Sequence, residues 1–122
     1  MNSHEGILKE IIANPDDDAP RLVYADWLEE QGDPDRAEFV RIQLEMAIHE
    51  SWQPEHAKLE SRIASLLTKH EESWKKELGV KAHFYYRRGT IEQLTLTAKA
   101  LCKIDPDIFK TTPIKRCLLY TS

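Results

Sequence analysis

Three consecutive carboxylates, Asp16-Asp17-Asp18, form the densest group of metal-ligating side chains in this sequence. A hard cation wants several oxygens on a turning loop, but the Asp-x-Asp-x-Asp-Gly spacing and its distal Glu are missing. An Asp run just ahead of a helix has a simpler use. Asp18 can cap the orphan N–H groups of the first turn, with Asp16 and Asp17 favoured near the positive end of the helix. The histidines, His4, His49, His56, His70 and His83, show neither H-E-x-x-H nor a paired i,i+4 spacing, and both cysteines lie apart from them, so no zinc site is expected. Four unclustered glycines exclude a Gly-rich phosphate loop. Arg21, Asp26, Glu38 and Arg41 are placed to form a buried ion network that fixes two facing helices. No His, Ser or Cys close by in sequence completes an acid–base or nucleophile set. The sequence therefore predicts no catalytic, cofactor-binding or metal-binding residue, and the protein reads as a non-enzyme.

One segment has the composition of a nucleic-acid contact. In His83-Phe84-Tyr85-Tyr86-Arg87-Arg88, aromatics that stack bases alternate with arginines that neutralise phosphates. The competing assignment puts Phe84 and Tyr86 on a core face and pairs the arginines with acidic residues of the first half. Charge favours the second. The net charge is −4, and it divides into 15 acidic and 5 basic side chains in residues 1–60 against 6 acidic and 12 basic in 61–122. Such halves either carry separate solvated surfaces or attract one another. Nucleic acid is the disfavoured partner.

At 122 residues, 41% hydrophobic and 31% charged, the chain has the size and composition of one soluble domain. Its start, MNSHEGILKE, lacks the basic and apolar stretches of a signal peptide, and no apolar run reaches the roughly 18 residues of a membrane span. A cytoplasmic location follows by default. Cys102 and Cys117 then read as two reduced core thiols.

The elements that position these groups are marked by local chemistry. A helix over Glu5–Ala13 stops at Asn14-Pro15, because the residue before a proline avoids the helical region. Asp18-Ala19-Pro20 and Asp33-Pro34 open two more, Ala19–Gln31 and Pro34–His49, with Gly32 closing the first in the left-handed region. Val23 over Trp27 and Tyr24 over Leu28 should face inward, so Trp27 is expected to be largely buried. Pro54 opens a fourth helix, which holds Leu59, Ile63, Leu66, Leu67, His70 and Trp74 on one face to Leu78. The period then changes to that of strands at Ala82–Arg87 and Thr90–Thr97, joined at Arg88-Gly89.

The segment PRLVYADWLEEQGDPDRAEFVRIQ, residues 20–43, resembles the bacterial repeat-companion domain, a module found beside leucine-rich repeats. The resemblance is dense over residues 7–45. It continues more loosely through Trp74, Tyr86-Arg87-Arg88-Gly89 and Pro113-Ile114-Lys115-Arg116, and so covers most of the chain. It implies an architecture and a neighbour, and carries no reaction with it. An internal echo agrees. Ile91-Glu92-Gln93-Leu94-Thr95-Leu96 and Ile114-Lys115-Arg116-Cys117-Leu118-Leu119 both fit L-x-x-L-x-L, 23 residues apart, within the repeat's range of about 20–29. Ala98–Ile104 supplies a short helix between them. The sequence ends at Ser122, inside the second copy, as a cut chain or an unusually short protein would.

These readings give an α+β fold. Four to five N-terminal helices (1–80) precede a small sheet (81–122) that begins a leucine-rich-repeat-like stack, within one compact domain. The first repeat of such a stack needs a cap, and capping it while presenting a protein-binding surface is the function expected. Nucleic-acid binding by the basic half is the alternative. If Leu94 and Leu96 face inward, Gln93, Thr95 and Thr97 face outward; in the second copy Arg116, Leu118 and Tyr120 do so. Those six are the candidate interaction face. The strand at 114–121 should lie parallel to 90–97, and its free edge should favour a homodimer.

Overall fold

A computed structural model describes residues 4–48, 52–78 and 82–120, apart from the side chains of His4, Leu78, Lys110, Thr111 and Tyr120. Its elements run α1 (His4–Ala13), α2 (Asp18–Glu30), α3 (Pro34–Ile48), α4 (Pro54–Leu78), β1 (His83–Arg87), β2 (Thr90–Thr97), α5 (Ala98–Leu101), α6 (Ile108–Thr111) and β3 (Arg116–Tyr120). This is an α+β fold in which N-terminal helices lead into a three-stranded mixed sheet of order β1-β2-β3. No described helix is long and apolar enough to cross a membrane. His49 and Thr121, which entered the expected element ends, lie outside the described residues.

Cap chemistry sets the helix ends. Asp17, one residue earlier than expected, is the N-cap of α2, its side chain accepting from the Ala19 N–H at 3.0 Å. Asp18 instead opens the first turn, where Pro20 also sits and where a missing N–H leaves no intrahelical bond unmade. Gly32, at φ 85°, closes α2 in a Schellman motif, with Asp33 N–H donating to Leu28 O at 3.0 Å and Gly32 N–H to Glu29 O at 3.1 Å. Asp33 then caps α3 by accepting from the Arg36 N–H at 3.3 Å.

The buried stripe of α2 is Arg21, Tyr24, Ala25 and Leu28, packed with Ile7, Leu8 and Ile11 of α1 and Ala37, Val40 and Leu44 of α3. Tyr24 and Leu28 face inward as expected, whereas Val23 does not. Val23 is 45% exposed, and Trp27 only flanks the cluster, with its ring stacked on Tyr24. Steps of three and four from Arg21 define the stripe, and an arginine is not counted as apolar when periodicity is read. A second cluster joins Phe39 and Ile42 of α3 to Leu66 and Trp74 of α4. The Phe39 ring meets Trp74 and Tyr86 edge-on, with centroids 5.2 and 5.0 Å away. Phe39→Ala should therefore lower stability by about 3–5 kcal/mol, and Trp27→Ala by clearly less, since the larger loss belongs to a fully buried ring. Denaturant midpoints of the two variants check the order.

The acidic and basic halves do attract one another within the chain. Arg62 holds Glu38 through two bonds of 2.7 and 2.8 Å, Lys69 holds Asp35 at 3.2 Å, and Arg87 and Arg88 reach Asp16 and Asp18 at 3.3 and 2.7 Å. Arg36 of the first half pairs with Glu77 and lies over the Trp74 ring. Exposed pairs of this kind contribute little each, so they set orientation more than stability.

The expected four-residue network is divided. Arg41 takes Asp26 at 2.8 Å and Glu29 at 2.6 Å, Glu38 goes to Arg62 of α4, and Arg21 hydrogen-bonds no carboxylate among the described residues. The cysteine expectation also needs correcting. Both thiols are free, but Cys102 is exposed and only Cys117 packs against a core cluster.

Candidate interaction face and the joint that positions it

Strands β2 and β3 run parallel, and Gln93 pairs with Arg116, Leu94 with Cys117, Thr95 with Leu118, Leu96 with Leu119 and Thr97 with Tyr120. Every partner lies 23 residues on, the spacing of the two L-x-x-L-x-L segments. The sheet thus aligns the last four positions of the two copies, Gln93–Leu96 with Arg116–Leu119. The crossover runs through α5, whose first turn is capped by Thr97 Oγ1 accepting from the Ala100 N–H at 3.1 Å.

The template asks for apolar residues three and then two positions apart, which a regular strand of period two cannot place on one face. A β-bulge resolves the conflict. Against β1, Tyr85 pairs with Gln93 but Tyr86 pairs with Ile91, so Glu92 is the extra residue. Ile91, Leu94 and Leu96 can then all point into the core, the last two with no exposed surface. Glu92 and Gln93 are both left on the other side. There the Glu92 carboxylate lies between Arg87 at 3.5 Å and Arg116 at 4.0 Å.

The outward face follows from this alternation. Arg116 and Leu118 are exposed, and Gln93, Thr95 and Thr97 are half-buried beside them. Tyr120 holds its register position, but its side chain lies outside the described residues. Register extends the face onto β1, where Tyr85 lies beside Gln93 and His83 beside Thr95, both exposed. The sequence signal for those two was the burial of their neighbours, since Phe84 and Tyr86 do pack on the core side. The inward set departs from expectation at one point. Leu119 pairs with the wholly buried Leu96 yet is 55% exposed, because β3 is the edge strand and nothing described covers it there.

The joint that holds this sheet to the helices was not visible in the sequence. Arg88 and Gly89 form the two-residue turn between β1 and β2, both at positive φ (50° and 89°), as a right-twisted hairpin requires. Gly89 donates its N–H to Gln43 Oε1 at 2.7 Å and lies directly on Val40 of α3. From α2, Arg21, only 3% exposed, gathers the rest of the turn. Its Nη1 donates to Arg87 O at 3.0 Å, Arg88 O at 2.9 Å and Thr90 Oγ1 at 2.6 Å, and its Nη2 to Pro15 O at 3.1 Å. Burial pushes the Arg21 pKa down, with Arg87 and Arg88 acting the same way. The planar fork of donors is what lets one side chain serve acceptors from two chain segments. Arg88 completes the joint by donating to Asp16 O at 2.9 Å and Asp18 Oδ1 at 2.7 Å.

Tyr86, Asp35 and Glu38 have marked environments. Burial raises the Tyr86 phenol to about 12, and its hydroxyl has no hydrogen-bond partner among the described residues. His70, stacked on Trp74 at 5.3 Å, hydrogen-bonds Asp35 at 2.7 Å. That bond, and then the one from Lys69, hold the Asp35 carboxyl below the usual carboxylate range. Arg62 acts likewise on Glu38. A depressed carboxylate pKa gives stability that is present above its unfolded value, about 4, and is lost as pH falls through the folded one. Urea midpoints from pH 5 to pH 2 should therefore fall less steeply for Asp35→Asn than for the parent. Parallel curves would show that Asp35 contributes nothing to the acid limb. Among the described residues no three His, Cys, Asp or Glu side chains come together as metal ligands. In comparisons with known proteins, no family model, no curated protein and no solved structure matches this chain.

Proposed function

We propose that this protein is a non-enzymatic cap that starts a leucine-rich-repeat-like stack and presents the outer face of its sheet to a protein partner. The observation that carries the reading is the coincidence of the 23-residue sequence echo with the 23-residue register of β2 and β3. Applied once more, the same step seats another parallel strand on the β3 edge. That strand and its connection would cover Leu119, adding about 1.5–3 kcal/mol for a leucine taken out of water. The helices hold the hairpin turn between β1 and β2 through the Arg21 and Gly89 joint, which fits a cap fixed to the first strands of a stack. The outer face offers Gln93, Thr95, Arg116 and Leu118, with Tyr85 and His83 beside them. Two free thiols fit the reducing cytoplasm.

The test is to append two further 23-residue L-x-x-L-x-L repeats in phase with β3. They should unfold together with the parent chain in one transition at a higher midpoint. The same repeats shifted by one residue send every side chain to the wrong face and should give no gain. Equal behaviour of the two extensions would refute the capping role. While the edge is free, a second copy can occupy it, so sedimentation should show a dimer that Leu118→Lys and the in-phase extension both remove.

A further inference from the structure

Away from the sheet, α1 and α2 enclose an open groove of about 570 Å³. Its apolar wall is Ile7, Ala19, Pro20 and Val23, the last of them 45% exposed. Its ionisable lining residues are Glu10 and Asp17, both carboxylates, with no Lys or Arg among them. Asp17 is engaged in capping α2, whereas Glu10 has no partner for its carboxylate among the described residues. We propose that this groove docks a basic amphipathic helix of a partner protein.

Three features select that occupant. The exposed Val23, with Ile7, Ala19 and Pro20 along the two helix walls, favours an apolar stripe at helical spacing. The groove has helix walls and no strand edge, so an extended peptide would find no ladder for its backbone groups, whereas a helix satisfies its own. The unpaired carboxylate, on the half of the chain that carries 15 acidic against 5 basic side chains, calls for lysine or arginine flanking the stripe. The same charge repels nucleic acid and anionic membranes. The chain already uses this complementarity internally, since Arg87 and Arg88 are drawn to Asp16 and Asp18, next to the groove's own Asp17.

The experiment is an NMR titration with a synthetic helical peptide of leucine, alanine and lysine, against a copy in which glutamate replaces lysine. The lysine peptide should shift the amides of Glu10, Asn14, Ala19 and Val23, and the glutamate peptide should not. Glu10→Lys should weaken binding about fivefold or more, and Val23→Ser should weaken it as well. Lysine near the C-terminal end of α1 suits the helix dipole, so Glu10→Lys should stay folded. Glu72→Lys makes the same charge change at an exposed site on α4 and should leave binding within about twofold of the parent. Shifts centred elsewhere, binding of the glutamate peptide, or equal losses in Glu10→Lys and Glu72→Lys would overturn the proposal.

Discussion

Arg21→Met is expected to destabilise the protein by roughly 3–5 kcal/mol, more than any ion-pair substitution on its surface. Methionine keeps much of the volume but offers no donor. The carbonyls of Pro15, Arg87 and Arg88, which are partly buried, and the buried Thr90 hydroxyl would lose the group that serves them. A buried acceptor left without a donor costs about 1–3 kcal/mol. Relief of the guanidinium's own desolvation, visible in its lowered pKa, offsets part of the loss. The sum still favours arginine, because only one side of each bond has been removed. Arg21→Lys should fall between the two, since one ammonium cannot span acceptors contributed by Pro15 and by the hairpin. A shift of the denaturant midpoint at constant slope measures the loss. A loss under about 1 kcal/mol would show that the joint does not hold the sheet.

Gly89→Ala should be nearly as damaging, at about 3 kcal/mol or more. A Cβ there would lie 2.7 Å from Val40 Cγ1 and 2.8 Å from Val40 Cα, and φ is already 89°. The first contact can be relieved by trimming Val40, so Val40→Ala should rescue part of the loss. The second is with helix backbone and cannot be relieved. Gly32 supplies the internal comparison. Its φ is 85°, but nothing lies within 4 Å of an added Cβ, so Gly32→Ala should cost only about 1 kcal/mol of backbone strain. Equal losses at the two glycines would mean that close packing of the turn on α3 contributes nothing.

The contrast between these positions explains what the sequence could reveal. Helix starts at Pro34 and Pro54, the Schellman end at Gly32 and the strand from Thr90 to Thr97 are written in local chemistry, and they lie where the residues put them. With three adjacent aspartates able to cap α2, the sequence alone could not separate Asp17 from Asp18. The two aligned copies were legible because the bulge at Glu92 is implicit in L-x-x-L-x-L. A three-residue apolar step on a strand requires an extra residue somewhere.

The joint was illegible for the opposite reason. Arg21 meets carbonyls 66 and 67 positions away, and backbone carbonyls carry no residue signature. Its place in the α2 stripe left Val23 exposed and Trp27 at the margin of the core. Glu38 likewise found its arginine on α4, beyond the hairpin in which a local reading sought it. For Leu119, alternation assigns the side of the sheet correctly, but exposure depends on what lies across it.

The most direct measurement of the central claim is a cross-link between β2 and β3. With Cys102 and Cys117 replaced by alanine, Thr95→Cys and Leu118→Cys place two thiols at paired positions on the outer face. Neighbouring strands lie about 4.8 Å apart, inside the roughly 4.4–6.8 Å Cα separation that a disulfide spans. A parallel pairing in the 23-residue step predicts rapid, complete intramolecular oxidation of this pair. Thr95→Cys with Arg116→Cys, two positions out of register, should remain largely reduced under the same conditions. Closure of the second pair in preference to the first, or of neither, would contradict the aligned-repeat sheet and the capping role built on it.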